Sequence, residues 1–349
     1  MKKLPFLRIG KRIISSKHYP AVIVELGINH NGNLRFAKKL IDEAHNCGAE
    51  IIKHQSHHAF YEMSNEAKKI IPPHTKKNIY DIISQSSLSF DQEEELKKYT
   101  EKKGMIFLST PFSREAANFL NDIGVKAFKI GSGECNNYPL IEHVCKFKKP
   151  MIISTGMNDI KSIKKTVKIV EKNKIQYALL HCTNLYPTPN KLIRLNAIKE
   201  LRDNFKNAVI GLSDHSENNH SVYAGLALGC SLIEKHFVDN KKKRKGPDIS
   251  ASMDRNELVE LLNASRNIHI SLPGKKIPVR EEKPIMRFAF ASVVSTKKIK
   301  KNEKFTRKNI WVKRPGTGDF LASKFEYVLN KRSNRDLDAN IQIKKSYIK

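Results

Sequence analysis

Cysteine is scarce and scattered in this chain of 349 residues: Cys47, Cys135, Cys145, Cys182 and Cys230, an odd number with no CxxC spacing. That pattern excludes a disulfide framework and a thiolate zinc site, and it suits a reducing cytosol. No apolar run approaches the roughly 18 residues of a membrane span. The opening Met1-Lys-Lys is followed by residues that alternate with charge rather than by a signal-peptide core. A cytoplasmic chain with no membrane partner is therefore expected. Acidic residues are also few, 35 against 64 Lys and Arg, for a formal charge of +29. Such a balance would suit a polyanion, but the basic residues are spread along the chain as lysine pairs on helix faces. The one dense run, Lys241 to Lys245, reads as a solvated loop. No nucleic-acid partner is expected, while an anionic small substrate would be drawn by the field. The glycine-rich first turn of a dinucleotide-binding open sheet is missing too, which counts against that fold.

What is present is a regular alternation. Short apolar runs of strand character occur at 21–25, 49–55, 105–109, 127–130, 150–154, 177–181, 208–212 and 231–237, each followed by a stretch of helical pattern. Eight consecutive strand–helix units over some 250 residues match the size and order of an α/β fold of the (β/α)8 TIM-barrel type. The reading is a barrel domain over 1–270 with an irregular lead-in, a linker over 271–286 and a small, β-rich, basic domain over 287–349. That last part carries Arg314 in a turn-rich Pro-Gly loop.

Barrel active sites lie at the C-terminal ends of the strands, and there the polar residues collect. The strands end in or just before Glu25, Lys53 with Gln55, Thr110, Lys129 with Ser132 and Glu134, Ser154, Asn184, Ser213 with His215, and Glu234 with His236. Lysines in otherwise buried strands need an anion to face, so Lys53 and Lys129 with the ring of Thr110, Ser132, Ser154, Asn184 and Ser213 predict a cradle for phosphate or for phosphate plus carboxylate. His215 and His236, at the ends of neighbouring strands, predict a divalent metal (Mn²⁺, Fe²⁺ or Zn²⁺ by donor type) with positions open to water or substrate.

Several stretches then resemble the sialic acid synthase family: Glu25-Leu-Gly-Ile-Asn-His-Asn-Gly32, Lys53-His-Gln-Ser-His57, Ser109-Thr-Pro-Phe-Ser-Arg114, Lys129-Ile-Gly-Ser-Gly-Glu134, His181-Cys-Thr-Asn-Leu-Tyr186, Gly211-Leu-Ser-Asp-His215 and Gly246-Pro-Asp248. They cover nearly the whole chain in the family's order. The resemblance implies a barrel followed by an antifreeze-like (SAF, β-clip) domain, and a homodimer in which that domain is swapped to cap the partner's barrel. It also implies a divalent metal on His215 and His236, Mn²⁺ before Mg²⁺ or Co²⁺. By the same resemblance Lys53, Thr110, Lys129, Ser132, Ser154, Asn184 and Ser213 hold phosphoenolpyruvate. Gln55, Tyr186, Asp248 and Arg314 face the sugar, and Glu25 or Glu134 moves a proton.

The implied reaction condenses phosphoenolpyruvate with N-acetylmannosamine to N-acetylneuraminate and phosphate. The alternatives are the same reaction on the acceptor of a legionaminic or pseudaminic acid synthase, then a metal-dependent pyruvate aldolase, then a basic nucleic-acid binder. Three stretches depart from the family's pattern: Ser-Glu-Asn-Asn after His215, His-Ala-Phe-Tyr after His57, and the basic run before Gly246.

Overall fold

A computed structural model describes residues 4–71 and 77–349; the Met1-Lys-Lys opening lies outside them. The chain divides into two compact units, Met1–Pro273 and Gly274–Lys349. Among the described residues no helix is long and apolar enough to cross a membrane.

The lead-in is not irregular, as its sequence suggests, but contains a hairpin of β1 (Leu7–Ile9) and β2 (Arg12–Ile14). Its three-residue strands are too short to show a period, and the Gly10-Lys11 turn is the one local signal, with Gly10 at φ +57°. The hairpin buries Leu7, Ile9 and Ile14 completely. They pack with Ile23, Ile51, Leu108, Ile152 and Leu232, residues from the inner face of the barrel. The hairpin thus supplies apolar cover to the barrel's interior, a tertiary role that no local pattern announces.

The first unit's sheet has eight parallel strands: β3 (Ala21–Glu25), β4 (Ile51–Ser56), β5 (Ile106–Pro111), β6 (Phe128–Ile130), β7 (Met151–Ser154), β8 (Tyr177–Cys182), β9 (Val209–Asp214) and β10 (Leu232–His236). The order β5-β4-β3-β10-β9-β8-β7-β6 brings the last strand back onto the first, and β5 lies against β6, so the sheet curls into a nearly closed barrel. The main helices between strands are α1 (Leu34–Asn46), α2 (Ala59–Glu62), α3 (Ile79–Ser86), α4 (Phe90–Lys102), α5 (Arg114–Asp122), α6 (Tyr138–Cys145) and α7 (Ile160–Lys172). They continue with α8 (Asn190–Ile193), α9 (Asn196–Asn204), α10 (His220–Ala227) and α11 (Arg255–Ser271). Side-chain oxygens of Asn33, Ser113 and Asp159 cap α1, α5 and α7, and reciprocal capping boxes start α4 (Ser89, Gln92) and α11 (Asp254, Glu257). The stretch between β4 and α4, read from sequence as a long loop, contains α2 and α3; both are short, and periodicity is weak over so few residues.

The two-residue strand period sorts the barrel into layers. Val22, Val24, Ile52 and Phe107 face outward to the helices, whereas Ile23, Ile51, Leu108, Ile152, Leu180 and Leu232 fill the interior. Two positions further along the same inward faces stand Glu25, Lys53, Thr110, Ser154, Cys182 and Glu234. An apolar plug therefore underlies a polar layer.

In the second unit β11 (Ser292–Ser295) pairs antiparallel with β12 (Ile310–Lys313), and other pairings are single bridges such as Ile299 with Leu337. Its core gathers Val293, Phe305, Ile310, Phe320 and Ile343. It also carries α12 (Lys283–Ala289) and α13 (Phe325–Val328). The stretch read as a linker over 271–286 thus includes the start of a helix, and regular strand accounts for less of this unit than its apolar pattern suggests.

Candidate active site

The C-terminal ends of the strands enclose a cavity of about 1240 Å³. Its lining includes Glu25, Lys53, Gln55, Thr110, Lys129, Ser132, Ser154, Asn184, Tyr186, Ser213, His215, His236 and Asp248. Glu134 is not among the lining residues; it accepts a hydrogen bond from Asn137 at 2.5 Å, and burial raises its carboxyl above the usual range. Arg314 belongs to the second unit, where it is exposed with its guanidinium 5.9 Å from the Phe288 ring.

At the centre two buried lysines share two buried carboxylates. Lys53 Nζ lies 2.7 Å from Glu25 Oε2 and 3.9 Å from Glu234 Oε2, and donates to Thr110 Oγ1 at 3.3 Å. Lys129 Nζ lies 3.6 Å from Glu234 Oε1 and donates to Ser154 Oγ at 2.7 Å and to the Ile130 carbonyl at 3.0 Å. Ser213 Oγ donates to Glu234 Oε1 at 2.8 Å.

Burial opposes every one of these charges, and the outcome at each depends on whether its neighbours outweigh that cost. Burial pulls Lys53 down, but Glu234 and Glu25 together hold it above the ordinary lysine value. Lys129 stays below that value, because burial outweighs Glu234. Burial pushes Glu234 up, yet Lys129 and Lys53 hold it low; Glu25 ends above the carboxylate range, chiefly by burial.

Next to this cluster Gly156 N donates to Ser132 Oγ at 3.1 Å. A Cβ on Gly156 would stand 2.1 Å from Asn184 Oδ1 and 2.8 Å from Ser132 Oγ, so glycine is what lets both side chains close over that point.

The two histidines emerge side by side, ring centroids 5.5 Å apart, with Tyr186 stacked on His215 at 4.0 Å. His215 Nδ1 donates to the Thr183 carbonyl at 3.0 Å, which leaves Nε2 for another partner. Burial disfavours a charged His215, but Cys182 beside it and the Thr183 carbonyl lift it to about 9, so a cation at this ring competes with a proton. His236 is held well below its usual value by burial and by His215, hence neutral; its Nδ1 is buried without a hydrogen-bond partner, 3.6 Å from Asp248 Oδ2. Burial, and then Glu25, lifts Asp248 to about 6. Gly27, at φ +53°, makes room here, since a Cβ would meet both the His236 ring and Asp248 at 2.9 Å. Among the described residues no three His, Cys, Asp or Glu side chains form a ready metal cage. The two imidazoles side by side, with His236 Nδ1 unpartnered, are donors that would suit a divalent cation completed by water or substrate.

Residues 40–277 match the model of the NeuB family, and residues 290–348 match the SAF domain. The chain belongs to the NeuB family. An uncharacterized protein of Methanocaldococcus jannaschii is 39% identical over 95% of each chain. The N,N'-diacetyllegionaminic acid synthase of Campylobacter jejuni is 37% identical over 90% of this chain and 96% of its own. The crystal structure of the N-acetylneuraminic acid synthetase of Leptospira borgpetersenii in complex with citrate superposes with a TM-score of 0.74 at 29% identity, covering 81% of this chain and 95% of that one.

In this NeuB-family chain, three features of the cavity escape a motif-based reading. Glu234 is visible in sequence only as a strand carboxylate sharing a face with His236, yet it is the shared counter-ion of both lysines. Cys182 sits between Asn184 Oδ1 (3.1 Å) and His215 Nδ1 (3.8 Å); its place on an inward strand face was the available signal. His57 and Phe112 form part of the wall as a stacked pair.

The run Lys241 to Lys245, expected as a solvated loop, is partly tied down. Lys241 pairs with Glu257 at 2.6 Å, and Arg244 pairs with Asp239 at 2.7 Å and lies over the Phe36 ring.

Proposed function

We propose that the chain condenses phosphoenolpyruvate with the open-chain aldehyde of an N-acylated hexosamine, releasing phosphate and a nine-carbon sugar acid. The observation that carries this reading is the pair of buried lysines amid Thr110, Ser132, Ser154, Asn184 and Ser213, beside two histidines with open valence in one cavity. A ligand bearing both phosphate and carboxylate suits two ammonium groups and a ring of hydroxyl donors.

In the reading Lys53 and Lys129 hold those anionic groups, and the hydroxyls and Asn184 fix their orientation. A bond forms between C3 of the enol phosphate and the aldehyde carbon, the aldehyde oxygen gains a proton, water adds at C2, and phosphate leaves. Glu25, held between Lys53 and Gln55 in the cavity, is assigned to move a proton, ahead of Glu134, which does not line the cavity. His215 and His236 would hold a divalent cation, manganese foremost, whose chemistry is to polarise the aldehyde oxygen. Tyr186 and Asp248, on the histidine side of the cavity, are assigned to the sugar.

For the acceptor, the 37% identity to a diacetyllegionaminic acid synthase over nearly the full chain favours a doubly N-acylated hexosamine ahead of N-acetylmannosamine. This reverses the order in which the motifs alone placed the two. We extend the proposal to a two-chain site in which the partner's Arg314 reads the N-acyl group, on the strength of the family resemblance.

The test is phosphate release from phosphoenolpyruvate with singly and doubly N-acetylated hexosamines, with Mn²⁺ and after chelation. Release that needs both an acceptor and the cation is expected, fastest with the doubly acylated sugar. Pyruvate as an equally good donor would replace the reading with an aldolase.

A further inference from the structure

Two residues, Glu62 and His57, have no part in the chemistry above but connect to it. His57 is buried with its ring stacked on Phe112, centroids 3.9 Å apart and planes 13° from parallel. Its Nδ1 lies 3.1 and 3.0 Å from the two oxygens of Glu62, the last residue of α2, and its Nε2 lies 3.0 Å from Gln55 Oε1. Gln55 Nε2 in turn donates to Glu25 Oε1 at 2.7 Å, and the other oxygen of Glu25 meets Lys53 at 2.7 Å. The line Glu62–His57–Gln55–Glu25–Lys53 therefore runs from a short helix in the β4–α4 connection into the centre of the barrel.

With Glu25 and Glu62 both ionised and the Gln55 amide oriented as it stands, the donor and acceptor inventory leaves one way to wire this line. An amide turns its NH2 toward a carboxylate and its oxygen toward a donor, so Gln55 is oriented by Glu25 on one side and by His57 on the other. His57 then faces an acceptor at each nitrogen, and both nitrogens donate. A ring donating twice needs a carboxylate nearby to offset its charge, and Glu62, itself almost fully buried, is there. Without that clamp the Gln55 amide is free to flip, which would set its oxygen against Glu25. Gln55 is the next inward position beyond Lys53 toward the open end of β4, in register with Thr110 of β5, and its amide meets Glu25. On the proposed function it is assigned to the acceptor substrate. Glu62 does not itself line the cavity, so whatever it does there it does through His57.

We propose that Glu62 and His57 are positioning residues: a charged clamp that locks the orientation of the Gln55 amide and so holds Glu25 in place for the acceptor substrate.

Two measurements test this, and only the second rests on the synthase reading. The first is ring ¹⁵N NMR of the ligand-free full chain, with the His57 signals assigned through their loss in His57→Gln. At neutral pH both ring nitrogens should fall in the protonated range, and Glu62→Ala should return one of them to the unprotonated range. An unprotonated His57 nitrogen in the wild-type protein overturns the clamp.

The second is phosphate release as a function of each substrate. Glu62→Ala should raise KM for the acceptor about tenfold, the worth of one charge-assisted hydrogen bond at its lower end, and move KM for phosphoenolpyruvate less than about twofold. Glu62→Asp keeps the carboxylate that the charged ring needs and should recover most of the acceptor KM. Equal effects of the two variants, or a fall in kcat with both KM values unchanged, overturns the proposal. Should the wild type release no phosphate with any acceptor, the synthase reading fails, and the NMR result decides the clamp by itself.

Discussion

Replacing Lys129 by Met separates a lysine kept for a ligand from one kept for the fold. Lys129 Nζ lies 3.6 Å from Glu234 Oε1, so at an effective dielectric of about 20 their attraction is about 4.6 kcal/mol. Against this stands the desolvation of a fully buried ammonium, several kcal/mol by itself. Burial is the larger of the two, since Lys129 sits below the ordinary lysine value despite Glu234. Removing the charge should then change stability by no more than about 1 kcal/mol, with Lys53 remaining as the partner of Glu234.

The ligand has no such compensation. Loss of one charge-assisted bond to an anion should weaken binding of phosphoenolpyruvate by about 1.5 to 3 kcal/mol, roughly ten- to a hundredfold. Because the folded protein sheds this proton before the unfolded chain does, wild-type stability rises with pH in the window between the lowered value and the ordinary lysine value; Lys129→Met should lack that rise. Urea unfolding between neutral and alkaline pH and calorimetric titration with phosphoenolpyruvate measure both sides. A loss of more than about 3 kcal/mol in stability with unchanged affinity would show that Lys129 is a structural ion-pair member and refute the cradle.

Two further substitutions probe the parts around it. Gly156→Ala should leave unfolding unchanged yet cut phosphoenolpyruvate affinity by about tenfold or more, because its Cβ cannot share space with Asn184 Oδ1 and Ser132 Oγ; unaltered affinity would detach those two from the ligand. Lys235 points away from the cavity and pairs with Asp214, which also accepts from Ser216 and Ser221 at 2.7 Å. Lys235→Met should therefore cost about 3 to 5 kcal/mol in urea unfolding, in part restored by adding Asp214→Asn, and a cost under about 1 kcal/mol would contradict the reading of a buried, unpaired carboxylate.

Local order in the sequence determined the barrel and most of the side chains that line its candidate cavity. A strand buried on both faces shows as an apolar run, and the two-residue period then says which side chain at its end points inward. Ile23 and Glu25, Ile51 and Lys53, and Leu232, Glu234 and His236 can all be paired off on paper in this way. Only the tertiary structure decided what those inward groups meet. Curling the sheet brings Glu234 of β10 between Lys53 of β4 and Lys129 of β6, strands far apart in sequence, and turns two apparently unpaired lysines into partners of one carboxylate.

The same holds where the sequence misled. Glu134 lies in the right motif, but a turn's rotation aims it at Asn137 rather than into the cavity. The β1–β2 hairpin has too few residues to show any period, and it exists because Leu7, Ile9 and Ile14 find an apolar barrel interior to cover. Periodicity reports which face a residue takes. Distance between faces is set by closure of the whole sheet, and charge pairing, proton affinity and the seating of a hairpin all depend on that distance.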